Sequence, residues 1–166
     1  LDVDVSVVDQ AAEVRKELAA EFGVTTFTEL SAGIDSKNPD IVVVCTPNQF
    51  HVNNAIEAGQ AGCNLFIEKP LSHEMEDVAD LETVVAEQDL MSLVGCNLRF
   101  HPEIRKIREL LQNDVVGSVV AARIEGGSYL PEWFPESDYR QSYSAREDLG
   151  GGVILDYIHE INYGRW

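Results

Sequence analysis

Lys69 follows the apolar run Asn64–Ile67 and Glu68, and it precedes Pro70. If that run is a strand, the lysine lies just past its carboxyl end, the edge at which open parallel sheets gather their ligands. The proline pushes the lysine backbone out of the helical region and holds it extended, which would aim a long cation away from the strand end. A partly buried ammonium there can polarise a reacting oxygen and help lower its pKa. A lysine at a surface turn is the other reading of the same residues. Further along, Asp156 and His159 stand three apart, so on a helix they share a face. An imidazole is suited to exchanging a hydroxyl proton near neutral pH, and a carboxylate beside it can orient it or bind a substrate. A solvated or core-satisfied helix face would show the same pair. Gly150, Gly151 and Gly152 come just before it and permit close backbone approach.

Other polar residues fall where elements meet. Asp9 ends a β-branched run, where a carboxylate can accept hydrogen bonds from ribose hydroxyls and repel a 2′-phosphate, or cap the helix that follows. Thr46, Pro47, Asn48 and His51 lie where a strand gives way to a helix, a place whose amide groups and positive dipole end attract a phosphate or ribose. Asn97, Arg99 and Phe100 directly follow another apolar run. Arg99 could face a ligand or pair with one of the many carboxylates. The stretch Asp138–Ser144 supplies Tyr139, Arg140 and Tyr143, a set suited to a polyhydroxylated ligand through bidentate and stacking contacts, or to a solvated loop with two buried tyrosines.

These residues need a scaffold, and composition bounds it. The chain has 166 residues, enough for one domain or a domain and a piece. Twelve basic residues against 29 acidic ones give a net charge of −17, which disfavours nucleic acid and anionic membranes as partners. An acid-rich, lysine-poor surface fits a halophile and an acidic mesophile alike. No apolar run reaches the ~18 residues of a membrane span, and the first residues lack the basic start of a signal peptide, so a soluble, cytoplasmic protein is expected. Cys45, Cys63 and Cys96 show no metal spacing; all three are expected to be buried, reduced thiols, and no metal site is expected.

The order of elements is that of parallel βαβ units. Strands are predicted over Val3–Val8, Thr25–Phe27, Ile41–Cys45, Asn64–Ile67 and Ser92–Cys96. Helices are predicted over about 11–22, 29–34, 48–61 and 73–87. After Cys96 the rhythm changes to a helix near Pro102–Leu111, a long strand over Val116–Gly126 opening a second sheet, and a single helix from Val153 to Trp166. Both ends read as cut. A doubly wound domain begins with a strand and a glycine-rich turn ahead of a residue such as Asp9, and in the order 3-2-1-4-5-6 that strand lies mid-sheet. Its absence would separate the Asp9 strand from the Ile41 strand, and the polypeptide alone is expected to be unstable and to bind dinucleotide weakly.

The motifs VVCTPNQFH, IEKPLS, GCNLRFHP and LGGGVILDYIHEIN, in that order, resemble the Gfo/Idh/MocA oxidoreductases. The resemblance implies a truncated Rossmann-type doubly wound parallel sheet over 1–98, binding NAD with NADP left open. Over 99–166 it implies the start of an α+β substrate-binding and oligomerisation domain with a mostly antiparallel sheet. It places Thr46, Pro47, Asn48, His51, Glu68, Lys69, Pro70, Asn97 and Arg99 along the cofactor, with Asp9 at its adenosine ribose. The Lys69–Pro70 bond in such an EKP turn is often cis.

By the same resemblance Lys69, Asp156 and His159 are catalytic, and they contact the substrate together with Tyr139, Arg140 and Tyr143. The family commonly sets the histidine three or four residues beyond the aspartate, and this chain has the shorter spacing. The implied reaction moves a hydride between nicotinamide and a hydroxyl or keto carbon of a sugar, sugar nucleotide or cyclitol, in a homo-oligomer. A dihydrodiol or tetrapyrrole reductase of the same family is the rival enzyme. A non-catalytic nucleotide or sugar sensor is the rival from another class.

Overall fold

The structure, a computed structural model, describes residues 3–166. Short runs rich in apolar and β-branched residues, separated by turn residues, form the strands β1 (Ser6–Val8), β2 (Thr25–Phe27), β3 (Ile41–Val44), β4 (Asn64–Ile67) and β5 (Ser92–Val94). Between them lie the helices α1 (Ala12–Phe22), α2 (Leu30–Lys37), α3 (His51–Gln60) and α4 (Val78–Glu87). β1 pairs in parallel with β2, β3 pairs in parallel with β4, and the second sheet has the order β3-β4-β5. This is the α/β alternation expected from the sequence. The β1 and β3 strands belong to separate sheets, as anticipated for strands that are not neighbours.

Contacts divide the chain into two compact units. The first comprises residues up to Cys45, Phe50–Ile67 and Met75–Leu93. Its core lies between β4, α3 and α4, where Leu65, Ile67, Val52, Ala55, Ala58, Val78 and Leu81 are buried. The small residues of α3 allow α4 to come close: a Cβ on Gly59 would lie 2.8 Å from Val84 Cγ1. The stripe of α1 is less covered, with Val14 and Phe22 exposed. That helix ends at Gly23, and α2 ends where Asn38 turns left-handed before Pro39.

The second unit gathers Thr46–Gln49, Glu68–Glu74 and Val94–Trp166. It contains α5 (Pro102–Gln112), α6 (Val153–Asp156), α7 (Ile158–Arg165) and a series of single 3₁₀ turns between Leu130 and Leu149. No strand forms over 116–126 among the described residues, contrary to expectation. A strand is stabilised by the partner that takes up its amide and carbonyl groups, and the described residues supply none to this segment. Val115, Val116, Val119 and Val120 are accordingly exposed.

Three other expectations change. The C-terminal helix is not continuous, because Tyr157 (φ −95°, ψ 28°) leaves helical geometry between α6 and α7. α4 starts five residues later than expected, after Asp77 in left-handed conformation. Of the cysteines only Cys63 is buried, and burial raises its thiol pKa. β3 stops at Val44, so Cys45 falls past the strand end and is exposed.

No helix among the described residues is long and apolar enough to cross a membrane. Leu65 is 1% exposed at the centre of the first core, so Leu65→Ala should destabilise that unit by about 2–5 kcal/mol. Urea denaturation followed by circular dichroism measures this.

Candidate active site

The second unit brings Lys69, Asp156 and His159 together. Glu68 and Lys69 follow β4 directly, and the Lys69–Pro70 peptide bond is cis. The Glu68 carboxylate accepts the Lys69 amide N–H at 2.9 Å. The ammonium of Lys69 donates to the main-chain oxygen of Asp156 at 3.1 Å. That oxygen is available because the helix breaks one residue later. In a continuous helix it would receive the Glu160 N–H, which instead donates to Tyr157 at 3.2 Å.

The glycine triplet sets where α6 begins. Gly151 runs so close to the preceding turn that a Cβ would overlap the Tyr143 carbonyl oxygen outright and lie 2.8 Å from that of Arg146. Gly150, in left-handed conformation (φ 78°), fits against the Cβ atoms of His73 and Asn48. The Gly152 N–H donates to the Ser144 carbonyl at 3.1 Å, and the Asp156 N–H donates to Gly152 at 3.0 Å. Asp156 is thereby tied to the turn over Tyr143–Ala145.

The Asp156 side chain is half-buried. Burial raises its pKa, and hydrogen bonds from Ser144 (Oγ to Oδ1, 3.3 Å) and Tyr143 and the charge of Lys69 offset only part of that rise. His159 is shifted the opposite way. Burial and then the Lys69 charge lower its pKa, against the carboxylates of Glu160 and Glu68. A neutral imidazole is therefore favoured near neutral pH. Its Nδ1 is buried and makes no hydrogen bond among the described residues.

The remaining predicted residues divide by what engages them. Tyr143 reaches Asp156. Tyr139 and Arg140 instead meet each other, the guanidinium 5.0 Å from the ring centroid and also beside Asp138. Asn48 is buried, and its amide donates to the Gly150 carbonyl at 2.8 Å; its side chain is part of the seat for the glycines. Arg99 donates through Nε to Asn162 at 2.7 Å and lies 5.7 Å from the Trp166 ring centroid, so its partner is an amide of α7, not a carboxylate. Thr46, Pro47 and Asn97 are exposed.

In the first unit His51 is 1% exposed, an inward-facing core histidine. Asp9, just past β1, accepts the Ala11 N–H at 2.7 Å through Oδ1, which closes a turn ahead of α1; the N-cap of that helix is Ala11, and no side chain caps it. Nothing in the sequence distinguishes Ser144 from Ser142, yet Ser144 is the buried hydroxyl on Asp156.

A family model described as an oxidoreductase family with an NAD-binding Rossmann fold matches residues 4–96. The levoglucosan dehydrogenase of Pseudarthrobacter phenanthrenivorans is 28% identical, over 93% of this chain and 41% of its own. The 1,5-anhydro-D-fructose reductase of Ensifer adhaerens is 31% identical, over 95% of this chain and 46% of its own. The crystal structure of myo-inositol 2-dehydrogenase from Lactobacillus plantarum aligns with a TM-score of 0.83 at 25% identity, covering 98% of this chain and 47% of that one. The chain thus spans less than half the length of these relatives.

Since only a residue without Cβ fits at position 151, Gly151→Ala should displace the turn carrying Tyr143 and Ser144 and cost about 1–3 kcal/mol. Comparison of chemical denaturation midpoints with those of the wild type tests it.

Proposed function

We propose a dehydrogenase of sugar-like alcohols, proceeding from the fact that the chain belongs to the Gfo/Idh/MocA oxidoreductase family. The observation that carries this reading is the meeting of Lys69 with Asp156 and His159 in one unit: an ammonium 3.1 Å from the Asp156 carbonyl, beside an imidazole whose buried Nδ1 has no partner among the described residues. That orphaned nitrogen fits a group supplied from outside. NAD, when bound, supplies the acceptor for the electron pair leaving the substrate carbon.

The chain's own residues handle the oxygen and its proton. His159, kept neutral by burial and by Lys69, takes the hydroxyl proton. Lys69 steadies the negative charge developing on that oxygen, and the carboxylates of Glu68 and Glu160 favour the imidazolium once it forms. Asp156 binds a substrate hydroxyl or orients the imidazole.

Residues 1–98 are read as the NAD-binding part and 99–166 as the start of the substrate part. Asp9 lies past β1, where its carboxylate favours a ribose with free hydroxyls over one bearing a 2′-phosphate. Thr46 and Pro47, exposed past β3, suit the cofactor edge. The names of the relatives support a sugar, anhydrosugar or cyclitol as substrate, and the exposed valines over 115–120 support association with a second copy.

In the protein that carries this sequence, assayed by nicotinamide absorbance with levoglucosan and myo-inositol for oxidation and 1,5-anhydro-D-fructose for reduction, Lys69→Met should reduce turnover at least ~10²-fold. Near-normal turnover would remove Lys69 from the chemistry. The acid limb of kcat/KM for alcohol oxidation should have its midpoint below the ordinary imidazole value of about 6.5, because a base of lowered pKa stays deprotonated to lower pH. Removing the Lys69 charge relieves one of the effects lowering the His159 pKa, so in Lys69→Met the limb should move to higher pH. A pH series on the wild type and the variant measures both.

A further inference from the structure

Ser144 is 5% exposed and touches the helix carrying Asp156 at two points. Its hydroxyl donates to Asp156 Oδ1 at 3.3 Å, and its carbonyl accepts the Gly152 N–H at 3.1 Å. Gly152 in turn accepts the Asp156 N–H, closing a ring of contacts through one serine, one glycine and one aspartate. The serine is itself held in a 3₁₀ turn, Tyr143–Ala145, which is pressed against Gly151 without room for a Cβ. The backbone that carries its hydroxyl is therefore held beside the carboxylate.

We propose that Ser144 is a positioning residue, whose buried hydroxyl fixes the direction of the Asp156 carboxylate while its carbonyl anchors the start of the helix beneath it. The inference rests on the dehydrogenase reading for its functional meaning, although the contact itself does not.

Burial alone would favour the neutral acid at position 156, which can rotate and donates from one oxygen only. The hydroxyl of Ser144 favours the carboxylate and holds it on one side. The other groups bearing on that carboxylate are Lys69 from the cis-proline turn and Tyr143 from the same 3₁₀ turn, with His159 and Glu160 on α7 and Glu68 near the imidazole. Of these, Tyr143 is the other hydroxyl donor and Lys69 the cation. Neither makes the second, main-chain contact that ties Ser144 to Gly152.

The test follows the Asp156 carboxyl carbon by NMR against pH in protein labelled with ¹³C-aspartate, its resonance assigned by loss in Asp156→Asn. In Ser144→Ala the titration should move to higher pH, because a donor to the ionised form has gone, and Ser144→Thr should restore the wild-type titration. With the nicotinamide assay on the same substrates, Ser144→Ala should lower kcat on the order of tenfold, with recovery in Ser144→Thr.

An unmoved Asp156 titration in a folded Ser144→Ala protein overturns the inference, whatever the activity does. Should Ser144→Ala fail to fold, the threonine variant and Ser144→Cys, a weaker donor of similar size, carry the same comparison. A shifted titration in a protein whose wild type turns over none of these substrates would leave the Ser144 contact standing and remove the dehydrogenase reading instead.

Discussion

The ammonium of Lys69 rests on the Asp156 carbonyl because the C-terminal helix breaks at Tyr157. A backbone oxygen inside a regular helix already has its partner four residues on. The break redirects the Glu160 N–H to Tyr157 and leaves the Asp156 oxygen for a cation from a different part of the chain. A charged hydrogen bond of this kind is worth about 1.5–3 kcal/mol when partly shielded from water, comparable to a well-packed aliphatic side chain. It fastens the turn after β4 to the end of α6, and the relation of Lys69 to both Asp156 and His159 follows from it.

Charge then divides the labour. The same burial that favours a neutral imidazole at His159 also favours a neutral acid at Asp156, and for proton exchange with an alcohol only the first is useful. Lys69 lowers both pKa values, which favours the neutral imidazole and at the same time opposes the effect of burial on the carboxyl group. Hydroxyls from Tyr143 and Ser144 add to the effect on the aspartate alone. The glycine triplet matters because those hydroxyls come from a turn that must lie against the backbone of Gly151.

Much of this was legible in the order of residue types. Continuous apolar runs such as Asn64–Ile67 form strands at the expected places because a run of that length buries its alternate side chains only when extended, as Leu65 and Ile67 do. The end of α1 at Gly23 followed from local conformational preference, whereas α2 runs on to Lys37, three residues beyond the expected end. Val116–Gly126 has strand-like composition yet forms none, since pairing depends on a partner and not on composition. His51 and Asn48 carry polar groups at a strand-to-helix junction, but both side chains are buried. Position in the sequence could not reveal which way they face.

The sequence by itself determined the alternation of strands and helices, the extended lysine before proline and the set of groups able to exchange a proton, because these depend on local chemistry and near neighbours. Tertiary structure alone decided that the final helix is split, that Lys69 reaches the carbonyl of Asp156, that Arg99 is taken by Asn162, and that Ser144 rather than Ser142 meets the aspartate. Apart from the split, each of these is a contact between residues distant in the chain or a choice between chemically identical side chains. Only the folded path of the backbone makes that choice.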